Sequence, residues 1–127
     1  MNLLLDTQIL LWGLSNDKRL TPDNKATIQD AENVYVSIAS FWEISIKVSI
    51  GKLTLDVTFP ELEKAIIDSG FEILAMKTSH IFLLPDLPHL HRDPFDRMLI
   101  SQSRCEHLHL MTSDQLVAQY DSSVILV

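Results

Sequence analysis

Four acidic residues lie at or near the points where an apolar segment gives way to a helical one. Three leucines at positions 3–5 lead into Asp6, and Asp114 follows a later apolar segment. Asp96 opens a helical segment, and Glu43 lies within another that is apolar over most of its circumference. In a parallel α/β sheet, the carboxyl ends of the strands and the amino ends of the helices share one edge, where ligand sites form. The arrangement therefore predicts an α/β fold in which the four carboxylates converge.

The apolar segments are short and continuous, which is typical of parallel strands that are buried on both faces. Their alternation with helical segments implies right-handed βαβ crossovers and a doubly wound sheet. The expected strands are Asn2–Leu5, 34–36, 71–76, 108–111 and 124–127. The expected helices are Thr7–Leu14, 22–31, 38–50, 58–70, a brief helix from Thr78 that Pro85 and Pro88 stop, 94–106, and a short helix that Asp114 caps.

Length and composition are those of one ordinary domain. The chain has 127 residues, of which 46% are apolar, and it contains no linker, repeat or low-complexity segment. We therefore expect a single domain over residues 1–127. No apolar run approaches the ~18 residues of a membrane span, and no basic segment precedes the apolar start of the chain, as a signal peptide requires. These features predict a soluble, cytoplasmic protein.

The balance of charged residues is acidic. Lys and Arg number 10 and Asp and Glu number 17, which gives a net charge of −7 at pH 7. Nucleic-acid-binding proteins are usually basic, so the total charge argues mildly against a nucleic-acid ligand. The argument weakens if several of the acids surround a metal ion, because a bound cation reverses the local field.

Converging carboxylates repel one another unless a cation lies between them. Two unit charges about 4 Å apart cost roughly 4 kcal/mol at an effective dielectric constant near 20, and a divalent cation turns that repulsion into attraction. Carboxylate oxygens are ligands that suit Mg²⁺ or Mn²⁺. The acidic pattern therefore predicts a metal-dependent enzyme.

Each acid also has a simpler interpretation. Asp6 and Asp114 both precede helical segments, and Asp is common as a helix N-cap. Glu43 stands four residues before Lys47, the spacing of a helical ion pair. Because Glu43 cannot easily point to bulk solvent, it needs a partner of some kind, and either the lysine or a metal ion would serve.

The segment Asp93-Pro94-Phe95-Asp96 contains two acids, and the simplest interpretation assigns both of them to capping the helix that follows. Asp93 fits the N-cap position, and Pro94 fits the first helical position. Asp96 then falls in the first helical turn, where the positive end of the helix dipole favours an ionised carboxylate. We expect Asp93 to cap the helix and Asp96 to face the site.

The histidines and the cysteine are assigned no chemistry. The pairs His89-x-His91 and His107-x-His109 lack the i,i+4 spacing of helical zinc ligands, and we interpret all four as ordinary loop or surface residues. The single cysteine, Cys105, excludes an internal disulfide and a cysteine-based zinc site. Its place in a helical segment indicates a buried structural thiol.

The segments D-T-Q-I-L-L-W at 6–12, W-E-I-S-I-K at 42–47 and D-P-F-D-R at 93–97, with others along the chain, resemble the PIN-domain family. Within that family they resemble the VapC toxins of bacterial toxin–antitoxin pairs. The resemblance extends over the whole chain, and W-E-I-x-I-K with D-P-F-D-R is its most specific part. One departure is the polar Ser-Gln-Ser at 101–103, where the family often has Ala-Gln-Ala, a change that could alter helix packing or the dimer surface. The matching segments are D-T-Q-I-L-L-W at 6–12, S-x-x-S-F-W-E-I-S-I-K at 37–47, G-K-L at 51–53, H-R-D-P-F-D-R-M-L-I at 91–100 and T-S-D at 112–114.

The resemblance implies a three-layer α/β/α domain around a parallel sheet of four or five strands. It implies an endoribonuclease that depends on Mg²⁺ or Mn²⁺, with acidic positions at Asp6, Glu43, Asp96 and Asp114 and a substrate-binding hydroxyl at Thr112. It also implies a small VapB-like antitoxin that blocks the acidic pocket, and a homodimer. On this interpretation Asp6 is the central ligand, Asp96 and Asp114 complete the metal site, and Glu43 binds a second ion or orients the attacking water.

Basic residues flank the acids at four positions: Lys47, Lys52, Arg92 and Arg97. They could hold RNA phosphates despite the negative total charge, because local rather than net charge determines such contacts. The alternative is that all four are solvated helix residues with no ligand.

Two other classes of function are compatible with a similar sheet. A receiver-like phosphorylation switch needs paired acids after its first strand, but Asp6 is followed by Thr7, and nothing basic lies near Val127. A catalytically silent partner-binding module would be expected to lack some of the four acids, and all are present. A phosphatase with a D-x-D motif is disfavoured because position 8 is Gln8.

Overall fold

A computed structural model describes all residues from 1 to 127 and shows a parallel sheet of five strands in the order β3-β2-β1-β4-β5. The strands are β1 (Asn2–Leu5), β2 (Asn33–Ser37), β3 (Glu72–Leu74), β4 (His109–Thr112) and β5 (Ile125–Leu126). The helices are α1 (Thr7–Leu14), α2 (Pro22–Asp30), α3 (Ile38–Ser49), α4 (Phe59–Asp68), α5 (Thr78–Leu83) with a 3₁₀ turn at Leu84–Asp86, α6 (Pro94–Cys105) and α7 (Gln115–Ala118).

The order of the strands places a topological switch point beside β1. From β1 the chain builds outward through β2 and β3, then returns to place β4 on the other side of β1. Leu4 of β1 lies opposite Tyr35 of β2 and Leu110 of β4. A crevice opens at the carboxyl ends of the strands where the order reverses in this way. The order also differs from the 2-1-3-4-5 of receiver-like sheets, which removes that alternative.

Apolar side chains cover both faces of the sheet. Leu4 packs in one buried cluster with Met98 and Leu99 of α6. Leu3 and Leu5 point to the other face, where a second cluster includes residues of α1 and the following loop. The alternation of neighbouring strand residues between the two faces accounts for the continuous run of leucines. The fold is the expected three-layer α/β/α arrangement.

Every expected helix and strand is present, and the differences lie at the ends. The segment expected as a strand over 71–76 is ordered only at Glu72–Leu74, and that expected over 124–127 only at Ile125–Leu126. Both belong to the outermost strands, which have a neighbour on one side only, and native edge strands are often short. The helix expected to reach Gly70 ends at Asp68.

The polar segment at 101–103 does not disturb the packing of α6, because its side chains are buried and hydrogen-bonded. The Ser101 hydroxyl donates to the carbonyl of His80, and the Ser37 hydroxyl donates to Gln102 Oε1 over 2.6 Å. The Ser103 hydroxyl donates to the Ile100 carbonyl within α6. No helix of the chain combines the length and the apolar character that crossing a membrane requires.

Candidate metal centre

The four predicted acids lie around one cleft at the carboxyl ends of β1 and β4. Asp6 directly follows β1, Asp114 lies two residues after β4, Glu43 projects from α3, and Asp96 lies in the first turn of α6. The cleft has a volume of about 220 Å³. We call it the acidic cleft; it is lined by Asp6, Thr7, Gln8, Leu11, Glu43, Lys47, Asp93, Asp96, Ser113 and Asp114.

Asp6 is held by both of its carboxylate oxygens. Its Oδ1 accepts the Ile9 N–H over 2.8 Å and caps α1, while its Oδ2 accepts the hydroxyl of Thr112 over 2.6 Å. Asp6 is therefore an N-cap and a site residue together. Burial raises the pKa of Asp6 to about 6, with smaller contributions from the charges of Glu43 and Asp114 and in opposition to both hydrogen bonds.

Thr112 links two of the acids and does not face the solvent. Its hydroxyl donates to Asp6 and accepts the backbone N–H of Asp114 over 3.0 Å, and its side chain is fully buried. This geometry corrects the expected substrate contact at Thr112, because a buried hydroxyl with both partners present cannot reach RNA. Its observed contacts fix the relative positions of Asp6 and Asp114.

Glu43 is buried, and both of its oxygens have a partner. The Thr7 hydroxyl donates to Oε1 and the ammonium group of Lys47 donates to Oε2, each over 2.7 Å. The ion pair offered as the simple interpretation is therefore present. The hydrogen bond to Glu43 raises the pKa of Lys47, with further support from Asp93 and Asp96.

The two acids at the start of α6 have different contacts. Asp93 Oδ1 accepts the N–H groups of Phe95 and Asp96, over 2.8 and 3.1 Å, and caps the helix. The Asp96 carboxylate takes no part in capping and lines the cleft. Burial, followed by the negative charges of Asp93 and Asp6, raises the pKa of Asp96 to about 7. Asp93 is thus the N-cap expected from the sequence and Asp96 is not, but both residues line the acidic cleft.

His91 is a site residue that the sequence interpretation missed. Its Nε2 donates to Asp114 Oδ2 over 2.8 Å and lies 3.1 Å from Asp96 Oδ2. The interpretation as an ordinary loop or surface residue is wrong for His91, whose side chain is only 13% exposed. It holds for His89 and His107, which are exposed. The available signal was the position of His91, two residues before the N-cap of α6.

Asp114 differs from the other two predicted ligands in its pKa. Its partial burial acts to raise the pKa, but hydrogen bonds from His91 and from the Leu116 N–H outweigh burial and lower it. The Leu116 N–H donates to Oδ1 over 2.8 Å, so Asp114 is also the N-cap of α7. The cleft therefore combines carboxyl groups that resist ionisation with one that ionises easily.

The four basic residues expected to contact RNA are less well placed at the acidic cleft than the acids. Arg97 donates to the carbonyls of Leu84, Leu87 and Pro88 and to the hydroxyl of Tyr120. That network corrects the expected RNA contact at Arg97, whose guanidinium instead ties a loop to α6. Of the others, Lys47 lines the cleft, while the exposed residues Arg92 and Lys52 lie outside its lining.

The residues of the cleft fit a divalent cation. Carboxylate oxygens of Asp96 and Asp114 lie within 4.8 Å of each other, and Asp6 and Glu43 line the same cleft. Burial makes ionisation of Asp6 and Asp96 costly in the protein alone, and a cation held between them would remove that cost. Carboxylate oxygens without any thiolate suit Mg²⁺ or Mn²⁺ rather than a soft metal. The acidic cleft can therefore hold a hard metal ion.

Solved structures with a similar fold come from toxin–antitoxin complexes. VapBC2 from Rickettsia felis, bound to a DNA fragment from its promoter, matches at 17% identity and TM-score 0.68, over 100% of this chain and 98% of that one. A toxin–antitoxin complex from Klebsiella pneumoniae matches at 15% identity and TM-score 0.64, over 96% of this chain and 94% of that one. FitAcB from Neisseria gonorrhoeae matches at 15% identity and TM-score 0.62, over 98% of this chain and 96% of that one. At these identities the likeness concerns the fold.

The sequence itself shows the family. No curated protein has significant sequence similarity to the chain. The sequence profile of the PIN domain, however, matches residues 3–122. That match includes all four acids of the cleft, together with Thr112 and His91. Because it extends over far more than half of the chain, the protein belongs to the PIN domain family.

Proposed function

We propose that the protein is a metal-dependent endoribonuclease and the toxin of a toxin–antitoxin pair. The observation that carries this proposal is the acidic cleft, where buried Asp6 and half-buried Asp96 lie with Asp114 and Glu43 at the switch point of a PIN domain. Two of these carboxyl groups have pKa values raised to about 6 and about 7. Perturbed acids of this kind cluster at functional sites.

The proposed ligands of Mg²⁺ or Mn²⁺ are Asp6, Asp96 and Asp114, and Glu43 either holds a second ion or orients the attacking water. A divalent ion in such a site lowers the pKa of a water molecule and neutralises the charge that develops on a phosphate. The protein's own contribution is orientation. Thr112 fixes Asp6, and Lys47 fixes Glu43.

RNA binding would rely on the local distribution of charge. Lys47 lines the acidic cleft with its side chain 46% exposed, and Arg92 and Lys52 are exposed. These three are our candidates for contact with RNA phosphates. Contacts to phosphates position a nucleic acid without reading its sequence. The chain acts in this proposal as one domain of 127 residues in the cytoplasm.

The proposed partner is a small VapB-like antitoxin that enters the acidic cleft. The structural neighbours are toxin–antitoxin complexes, and the cleft offers carboxylates that an arginine side chain from a partner would pair with in a bidentate way. Trp42 is 54% exposed and stands edge-on to Phe95 at a centroid distance of 5.1 Å. We place the antitoxin over this aromatic surface, and we propose that the toxin is a homodimer.

The test is cleavage of labelled RNA by the purified protein with Mg²⁺, with Mn²⁺, and with EDTA. We expect cleavage with at least one of the metals, none with EDTA, and none from Asp6→Asn with either metal. A mixture of structured and single-stranded RNAs should be used, because the proposal does not specify the target sequence. If the wild-type protein binds neither metal and leaves every RNA intact, the proposal is wrong and a partner-binding module becomes the better account.

A further inference from the structure

The side chain of His91 makes three polar contacts, and each involves the acidic cleft or the start of α6. Its Nδ1 accepts the backbone N–H of Asp93 over 3.1 Å. Its Nε2 is hydrogen-bonded to Asp114 Oδ2 over 2.8 Å and lies 3.1 Å from Asp96 Oδ2. The imidazole ring therefore stands between the backbone that caps α6 and two carboxylates that line the cleft.

The backbone contact determines which nitrogen of His91 carries the proton. A backbone N–H can only donate, so Nδ1 must present its lone pair to Asp93. The ring proton then lies on Nε2, where it meets Asp114 as a donor meets an acceptor. In this arrangement Nε2 has no lone pair to offer to a cation. The geometry thus separates His91 from the carboxylates around it, which all present lone pairs.

We propose that His91 is a positioning residue, which holds Asp114 beside Asp96 through its Nε2–H and remains outside the ligand set of the metal. This inference rests on the proposed function, because it assumes that the two carboxylates bind the ion. Groups that hydrogen-bond to metal ligands orient them and raise metal affinity without touching the metal.

The other acids show why Asp114 needs such a partner. Both carboxylate oxygens of Asp6 accept a hydrogen bond, one from the Ile9 N–H and the other from the Thr112 hydroxyl. Asp114 is 38% exposed and precedes a helix of four residues. Leu116 holds only its Oδ1, so without His91 the carboxylate loses its second anchor. His91 therefore holds the second carboxylate oxygen of Asp114 by a hydrogen bond, as Thr112 holds that of Asp6.

The contact with Asp96 adds an electrostatic effect. The Nε2–H edge of the ring carries partial positive charge, and it lies beside a carboxylate that is surrounded by other acids. It lessens the repulsion between Asp96 and Asp114 and lets both approach the same point. Removing the ring should therefore let the two carboxylates separate.

The first test is calorimetric titration of the metal-free protein with Mn²⁺. We expect His91→Ala to weaken Mn²⁺ binding by roughly 10–100-fold, the range for residues that orient metal ligands. His91→Gln should recover most of the affinity, because its side-chain amide can again donate to Asp114. The matched control is His89→Ala, which removes an exposed histidine two residues away and should bind as the wild type does.

The outcomes separate this inference from the proposed function. If the wild-type protein does not bind Mn²⁺, the proposed function fails and the inference fails with it. If the wild type binds and His91→Ala binds equally well, only the inference is overturned. Circular dichroism of the metal-free variants checks that the fold is kept.

A second measurement decides the matter on the wild-type protein, even if His91→Ala does not fold. Ring ¹⁵N resonances of His91 distinguish the two tautomers, and diamagnetic Mg²⁺ can be added during the experiment. We expect the proton on Nε2 both before and after saturation with Mg²⁺. Loss of the Nε2 proton on adding Mg²⁺, with direct coordination of the ion, would make His91 a ligand and overturn the inference.

Discussion

Two histidine–carboxylate pairs in this protein have almost the same local geometry and opposite surroundings. At one end of α6, His80 Nδ1 accepts the Lys77 N–H over 3.0 Å and Nε2 lies 2.9 Å from Glu106 Oε1. At the other end, His91 Nδ1 accepts a backbone N–H over 3.1 Å and Nε2 lies 2.8 Å from Asp114. Each ring is thus fixed by a backbone donor and turned toward a carboxylate.

The difference between the pairs lies in their charge balance. Beside His80 there is one carboxylate, and Lys77 lies 3.1 Å from it. The hydrogen bond from His80, followed by that from Lys77, lowers the pKa of Glu106. This pair is complete in itself: His80 is fully buried and its ring has its partners. It contributes to stability and offers nothing to a ligand.

Around His91 the carboxylates outnumber the cations. Asp6 is buried and Asp96 is half-buried beside other acids, and their pKa values are raised instead of lowered. Lys47 is the one basic residue in the lining of the cleft, and it is engaged with Glu43. The same hydrogen-bonded unit therefore supports a structural anchor in one place and an incomplete charge cluster in the other. An incomplete cluster is what a cation would complete.

The largest expected effect separates the two acids that open α6. Asp96→Asn removes a charged ligand without changing shape, and cleavage of RNA should fall by roughly 10²–10⁴-fold, since a metal ion contributes several kcal/mol to the transition state. Asp93→Asn should keep most of the activity because Asn caps a helix as well as Asp does. Single-turnover cleavage at saturating Mg²⁺ measures both. An exchange of these results would mean that Asp93 is the ligand.

The two regions should also respond to pH in opposite directions. Asp6 and Asp96 have folded-state pKa values of about 6 and about 7, above the unfolded value of 3.8. These two groups therefore bind more protons in the folded protein than in the unfolded chain between about pH 4 and 7. Stability without metal should fall as the pH rises through this window, by an amount on the order of a few kcal/mol. Glu106, whose pKa is lowered, instead contributes stability that is lost as the pH falls.

Urea denaturation at several pH values, with and without Mn²⁺, tests this contrast. Saturating Mn²⁺ should abolish the fall above pH 5, because the ion binds the deprotonated carboxylates of the folded state only. Asp96→Asn should flatten the metal-free profile over the same window. A wild-type profile that rises steadily from pH 4 to 7 without metal would contradict the raised pKa values.

Much of the fold could be predicted because its signals are local. The continuous apolar run of β1 indicates a strand buried on both faces, and Thr58 with Glu61 forms the expected capping box of α4. Asp6 could be assigned to the site because a strand end in this architecture is also an edge of the sheet. The N-cap at Asp93 could be predicted because capping depends on positions only a few residues apart.

The part that could not be predicted depends on contacts between distant residues. The Tyr120 hydroxyl accepts the backbone N–H groups of Leu90 and His91, 30 and 29 positions away, and donates to the Pro88 carbonyl. Arg97 holds the same loop through Pro88 and Leu84. These anchors direct His91 into the cleft and occupy the guanidinium of Arg97. Nothing in the spacing of residues near position 91 encodes the partner at position 120.

A smaller effect is expected at the structural pair. Glu106→Ala leaves the buried Nε2–H of His80 without its acceptor, which should lower the free energy of unfolding by about 1–3 kcal/mol. Mn²⁺ affinity should not change, because Glu106 lies outside the lining of the acidic cleft. Denaturation and calorimetric titration of the same preparation measure both quantities. A weakened Mn²⁺ affinity would show that the two ends of α6 are coupled.

The smallest effect is expected for Lys77→Ala. The ammonium group of Lys77 lies 3.1 Å from Glu106, but its side chain is 58% exposed, and ion pairs at such exposure contribute about 0–1 kcal/mol. The 2.9 Å contact between His80 and Glu106 does not need the lysine and should persist. Urea denaturation of Lys77→Ala beside Glu106→Ala gives the comparison directly. If both variants lose the same stability, Lys77 rather than His80 holds the carboxylate. The structural pair would then depend on a cation, as the acidic cleft is proposed to do, and the contrast between the two ends of α6 would become one of degree.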